Sequence, residues 1–147
     1  MEDIKTIEAT PAKDLPACPV ETTLMLIGDK WKVLILRDLM PGTKRFGELK
    51  KSIGHVSQKV LTAQLRDMEE SGLLSRKVYA EVPPRVEYRL TDVGWSLIGL
   101  LDLVYDWGWN DMKSKGLPID ALGEMWHGYR TADSAKMNQP YYNKEPK

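Results

Sequence analysis

One cysteine, Cys18, stands among 147 residues, so no internal disulfide framework can hold this chain together. Histidine is nearly as scarce. His55 and His127 are the only two, and neither lies at metal-ligand spacing from Cys18 or from an acidic cluster. Glycine-rich phosphate loops are absent, because Gly42, Gly47 and Gly54 fall at the ends and turns of helical patterns. No serine occupies a nucleophile motif. Together these gaps argue against an enzyme, a metal centre and a bound cofactor. No apolar run approaches the roughly 20 residues that span a bilayer, and the acidic start MEDIKTIEAT has no signal-peptide core. The expectation is a cytoplasmic protein with no membrane partner.

What is present points to a folded chain. Hydrophobic residues make up 42%, with five tryptophans, enough for one domain with its own core. Net charge is zero, but the average conceals a division. Residues 30 to 77 carry eleven Lys or Arg against five Asp or Glu, and the remainder carries the opposite excess. Between 44 and 66 there are six basic residues and one acidic, Glu48. A charge run is most often a solvated face; concentrated on one compact stretch, it reads as a footprint for a polyanion.

The organisation follows from periodicity. An acidic, proline-dotted arm occupies 1–17. Cys18 is a candidate N-cap, with Pro19 at the first helical position and Glu21 in the first turn. Leu24 and Ile27 fit a short helix ending at Gly28. KWKVLILRDLMPG sets Trp31, Leu34, Ile35 and Leu39 at helical spacing and stops at Pro41-Gly42. RFGELKKSI forms a third helix with Phe46, Leu49 and Ile53 on one face, broken by Gly54. After a four-residue turn, Ser57 caps SQKVLTAQLRDMEESG, which buries Val60, Leu61, Leu65 and Met68. RKVYAEVPPRVEYRL then changes period. Apolar residues alternate from Leu74 through Val78, Ala80 and Val82, and again at Val86, Tyr88 and Leu90, so two short strands meet at the Pro83-Pro84 tip.

A hairpin this small must lie against something. The order helix, turn, helix, hairpin is that of a winged helix-turn-helix, so the fold class is mainly α with a small β-hairpin, and the hairpin is the wing. The domain is predicted over 18–113, with a tail over 114–147 that holds a short helix around 119–129. In this docking mode the second helix enters the major groove. Its outward positions are predicted to be Ser57, Gln58, Lys59, Thr62, Gln64 and Arg66, with Gln58 and Lys59 in the first turn, nearest the bases. Lys44, Arg45, Lys50 and Lys51 precede the turn and suit phosphates, while Arg85 and Arg89 on the wing would reach phosphate or the adjacent minor groove. The implied partner is double-stranded DNA.

CPVETTLMLIGDKWKVLIL, KRFGELKKSIGHVSQKVLTAQLRDMEESGLLSR and YAEVPPRVEYRLTDVGWSL together resemble the HxlR-type transcriptional regulators, a branch close to the MarR-type regulators. The likeness runs over about residues 18 to 109. It implies a dimeric, DNA-binding winged helix-turn-helix. It also implies that Cys18, in CPVE, matches a thiol that some members use to sense electrophiles or oxidants. The residues themselves add that a thiol at a helix start is favoured as thiolate, and that Lys13 in the arm brings positive charge nearby.

TDVGWSLIGLLDLVYDWGWNDM supports a dimer separately. Thr91 is a candidate N-cap, and Val93, Leu97, Leu100, Val104 and Trp107 recur at steps of four and three, a narrow seam. Leu101, Leu103 and Trp95 add a second apolar edge. A homodimer on a palindromic operator would present two recognition helices to successive grooves. In the tail, Trp126 and Tyr129 suit packing, a cap on the dimer or a pocket for a small-molecule effector. The rival reading is a winged helix used only for contacts between proteins.

Overall fold

The computed structural model describes residues 17–120 and Glu124; the arm with Lys13, and Trp126, His127 and Tyr129 of the tail, lie outside the described residues. In chain order the elements are α1 (Pro19–Ile27), α2 (Lys30–Leu39), β1 (Lys44–Arg45), α3 (Phe46–Ile53), α4 (Gln58–Glu70), β2 (Leu74–Tyr79), β3 (Arg85–Leu90) and α5 (Asp92–Ser114). This is a winged helix-turn-helix, with one element that periodicity did not show.

Three helices, α2, α4 and α5, start where the sequence provides a capping side chain. Cys18 precedes α1 with extended backbone and Pro19 follows at the first turn, but no side chain closes this cap. Asp29 caps α2 by accepting from the Trp31 backbone N–H at 2.8 Å. Ser57 Oγ accepts from Val60 N at 3.1 Å, and Thr91 Oγ1 from Gly94 N at 3.1 Å. Each supplies an acceptor to a backbone donor that the helix itself leaves unpaired. The turn between α3 and α4 depends on Gly54, whose φ of 89° lies where a β-carbon would be strained.

The core gathers one face from each element. Ile35, Leu36 and Leu39 of α2, Leu49 and Ile53 of α3, and Leu61, Leu65 and Met68 of α4 are buried together with Leu74, Tyr88 and Leu90 of the hairpin and Ile98 of α5. Fully burying one such side chain is worth about 1.5–3 kcal/mol, so this cluster dominates the stability.

The wing is a sheet of three strands in the order β1-β3-β2, not a two-stranded hairpin. Arg45 is expected to open the following helix and Lys44 to lie in no strand; instead both pair antiparallel to β3, Lys44 with Tyr88 and Arg45 with Glu87. Two residues are too few to show a period, which is why this strand was hidden. A second departure concerns the outer half of β2. Val78 is 58% exposed and Val82 wholly so, and Ala80 is exposed too, so the alternation there does not mark a buried face.

Candidate nucleic-acid interface

Pairing register decides which side chains share a face of the wing. Side chains of directly opposed residues point to the same side, and so do every second residue along a strand. Arg45, Glu87 and Lys77 are aligned across the three strands; Arg85 opposes Tyr79 and Arg89 opposes Ser75. One face of the strands therefore carries Arg45, Lys77, Arg85 and Arg89 around the Glu87 carboxylate. The opposite face holds Tyr88 and Leu90, buried against the helices. Burial raises the Tyr88 hydroxyl above its ordinary pKa, with the positive charge of nearby Arg76 working against the rise. Lys77 was not among the predicted contacts, although the alternation of β2 already placed it outside.

The four basic residues are not equivalent. Arg85 is held three ways: by Glu81 at 3.2 Å, by Glu87 at 3.5 Å, and over the Tyr79 ring at 3.9 Å from its centroid. Lys77 Nζ lies 4.8 Å from the same ring centroid. Arg89 is exposed and donates a 3.2 Å hydrogen bond to Ser75 Oγ. Arg45 is exposed as well, its backbone N–H donating to Glu48 at 3.0 Å.

On α4, Ser57, Gln58, Lys59 and Arg66 are exposed, and Thr62 is half-buried with its hydroxyl donating to the Gln58 carbonyl at 2.7 Å. Lys50 and Lys51 are exposed at the end of α3, and Lys44 is half-buried in β1. Gln64 departs from the prediction. It is 9% exposed, and its amide Nε2 donates to Asp29 Oδ2 at 3.3 Å, turned into the protein rather than outward. The helical face that buries Leu61, Leu65 and Met68 takes in Gln64 between them.

α5 extends 23 residues and leaves Val93, Leu100, Leu103, Val104 and Trp107 exposed, Leu103 at 69% and Trp107 at 72%. Leu97 is half-buried against the core. Leu101 corrects the expected interface: at 4% exposure it is part of this subunit's own core. On α1, Val20, Leu24 and Met25 are also exposed.

A helix capped by Ser57, following a glycine turn and standing beside a three-stranded basic wing, matches a described family. The HxlR-like helix-turn-helix family covers residues 26–115. The chain belongs to that family. It is 47% identical over 95 residues to the uncharacterized HTH-type transcriptional regulator YdeP of Bacillus subtilis, a match covering 65% of this chain and 74% of that one. The crystal structure of the HTH-type transcriptional regulator ytcD shares 48% identity with a TM-score of 0.63, over 65% of this chain and 98% of that one. The redox regulator HypR in its reduced form shares 38% identity with a TM-score of 0.64, over 67% of this chain and 98% of that one.

This HxlR-family protein is accordingly a transcriptional regulator of the helix-turn-helix type, close to the MarR regulators, and not an enzyme. Among the described residues no helix is long and apolar enough to cross a membrane.

Proposed function

We propose that the protein is a homodimeric, sequence-specific DNA-binding regulator. The observation that carries this reading is the exposed first turn of α4. Gln58 and Lys59 are exposed beside the Ser57 cap, next to a wing whose outer face gathers Arg45, Lys77, Arg85 and Arg89. Gln58 and Lys59 read base edges, with Thr62 about one turn further on and Arg66 about two. Arg45, Lys50, Lys51 and Arg89 hold phosphates, with Lys44 behind them.

The exposed apolar stripe of α5, together with Val20, Leu24 and Met25 of α1, supports a two-fold interface. Two such subunits fit a palindromic operator. Cys18 is exposed at the start of α1, and the likeness to a redox regulator supports a sensing role for it. With no second cysteine in the chain, the oxidised product is a sulfenic acid, a mixed disulfide with a small thiol, or a bridge between subunits.

The test is footprinting on the DNA flanking the protein's own gene, followed by electrophoretic binding at two salt concentrations. A protected, two-fold symmetric site with salt-dependent affinity is expected. Absence of any protected site, with the protein captured only by other proteins, would leave the winged helix as a protein-contact module.

A further inference from the structure

Two polar contacts join α4 to α2, and they are spaced alike on both helices. Gln64 Nε2 donates to Asp29 Oδ2 at 3.3 Å, and Lys32 forms an ion pair with Asp67. Residues 29 and 32, like 64 and 67, are three apart, so each pair lies on one helical face a turn apart. Both side chains of the ion pair are only 12% exposed, and Gln64 is buried. The Leu61, Leu65 and Met68 contacts hold α4 against the core, but apolar packing is not directional. Hydrogen bonds are, and two of them a turn apart fix both the rotation of α4 about its axis and its slide along α2.

Gln64 is an expensive choice for a merely structural position. Its Oε1 is buried without a hydrogen-bond partner among the described residues. A methionine there would fill similar space with no unpaired oxygen. Asp29 serves both ends of the link: Oδ1 caps α2 through Trp31 N, while Oδ2 takes the Gln64 amide. It also stands directly after Gly28, which closes α1.

We propose that Gln64 and Asp29, backed by Lys32 and Asp67, are positioning residues for DNA reading: they set the rotation of the recognition helix without touching DNA. This rests on the reading of α4 as the DNA-reading helix. Gln58 and Lys59 lie about one and a half turns before Gln64, so a small rotation at the link changes which groove atoms they meet. Without the link the protein still binds DNA through its phosphate contacts, but it discriminates operator from other sequences less well.

The experiment uses the full chain and its footprinted site. The ratio of affinities for operator and unrelated DNA is measured for wild type, Gln64→Met, Asp29→Ser, the double variant and Asp29→Asn, along with salt slopes and melting temperatures. Serine keeps an oxygen to cap α2 but does not reach Gln64. Asparagine keeps the cap and restores the link once the Gln64 amide turns over, its own N–H donating to Oε1. Each single disruption is expected to lower discrimination about tenfold, a typical coupling for residues in contact. The double variant should be no worse than either single one, Asp29→Asn should stay near wild type, and salt slopes should not move. Gln64→Met should melt no lower than wild type. Additive losses, or a lost preference at one base pair only, would place Gln64 on the DNA and overturn the proposal. Unchanged discrimination in every variant would overturn it too. A wild type that forms no specific complex fails at the first measurement, and then the DNA-reading assignment falls and the positioning role of the link with it.

Discussion

Gly94 rests directly on the backbone of Leu73: a β-carbon built at Gly94 would lie 2.0 Å from the Leu73 carbonyl oxygen. The same carbonyl accepts the Thr91 N–H at 3.2 Å, so the start of α5 is seated on the base of the wing. Elsewhere in a helix, Gly→Ala gains up to about 1 kcal/mol. Here the sign reverses. Gly94→Ala is expected to lose about 2–4 kcal/mol, read as a lower melting temperature, because backbone must move to admit the methyl.

On the recognition helix, Lys59→Ala or Gln58→Ala should weaken operator binding by about 1–3 kcal/mol and relax preference at one base pair each. Binding to a panel of single-base operator variants checks this. Alanine at Gln58, Lys59, Thr62 and Arg66 together with operator binding intact would remove α4 from the role of reader.

Wing arginines should separate by how they are already engaged. Arg89, exposed and hydrogen-bonded to Ser75, should lower the salt slope of binding by about one when replaced by Ala. Arg85 is occupied by Glu81, Glu87 and Tyr79, so Arg85→Ala should change the slope less. Equal slope changes for the two would show that Arg85 leaves its acidic partners on the DNA.

For the dimer, Leu103→Glu combined with Trp107→Glu should yield a folded monomer. Both side chains are among the most exposed apolar groups of α5, so a charge there disturbs association rather than the core. Sedimentation and circular dichroism check the two halves of this expectation. Leu101→Glu, by contrast, should unfold the subunit, since Leu101 is buried within it.

Diamide or a quinone should release wild type from its operator and leave Cys18→Ser bound. Mass spectrometry should find the adduct, or a cross-linked dimer, on wild type alone. Equal operator binding by treated and untreated wild type, with no adduct, would make Cys18 a passive helix start.

Helices were legible because their signals are local and redundant. Ser57 and Thr91 cap where their sequence positions indicated, and Gly54 breaks where a glycine was needed. The wing was legible from its change of period. The failures share a different cause. Gln64 is polar and was sorted outward by chemistry, while its helical angle lies with Leu61, Leu65 and Met68. Leu101 sits beside the exposed seam in sequence, yet its angle turns it to the core. Residues at the border between faces are settled by what stands opposite, as Asp29 stands opposite Gln64, and one sequence does not reveal that. β1 was hidden because its partner, β3, lies some forty residues later in the chain.

That short strand has a mechanical consequence. β1 leads straight into α3 and is paired to β3, while α4 is tied to α2, so within a subunit the parts proposed to face DNA are expected to behave as one solid die. In the proposed dimer, the adjustable quantity is then the distance and angle between two dies, not the imprint either one makes. A signal arriving at α1 or α5 would leave the preferred half-site untouched and shift the preferred spacer. Selection from a random library, run with and without the inducer, would record this as a change in the number of base pairs between conserved half-sites.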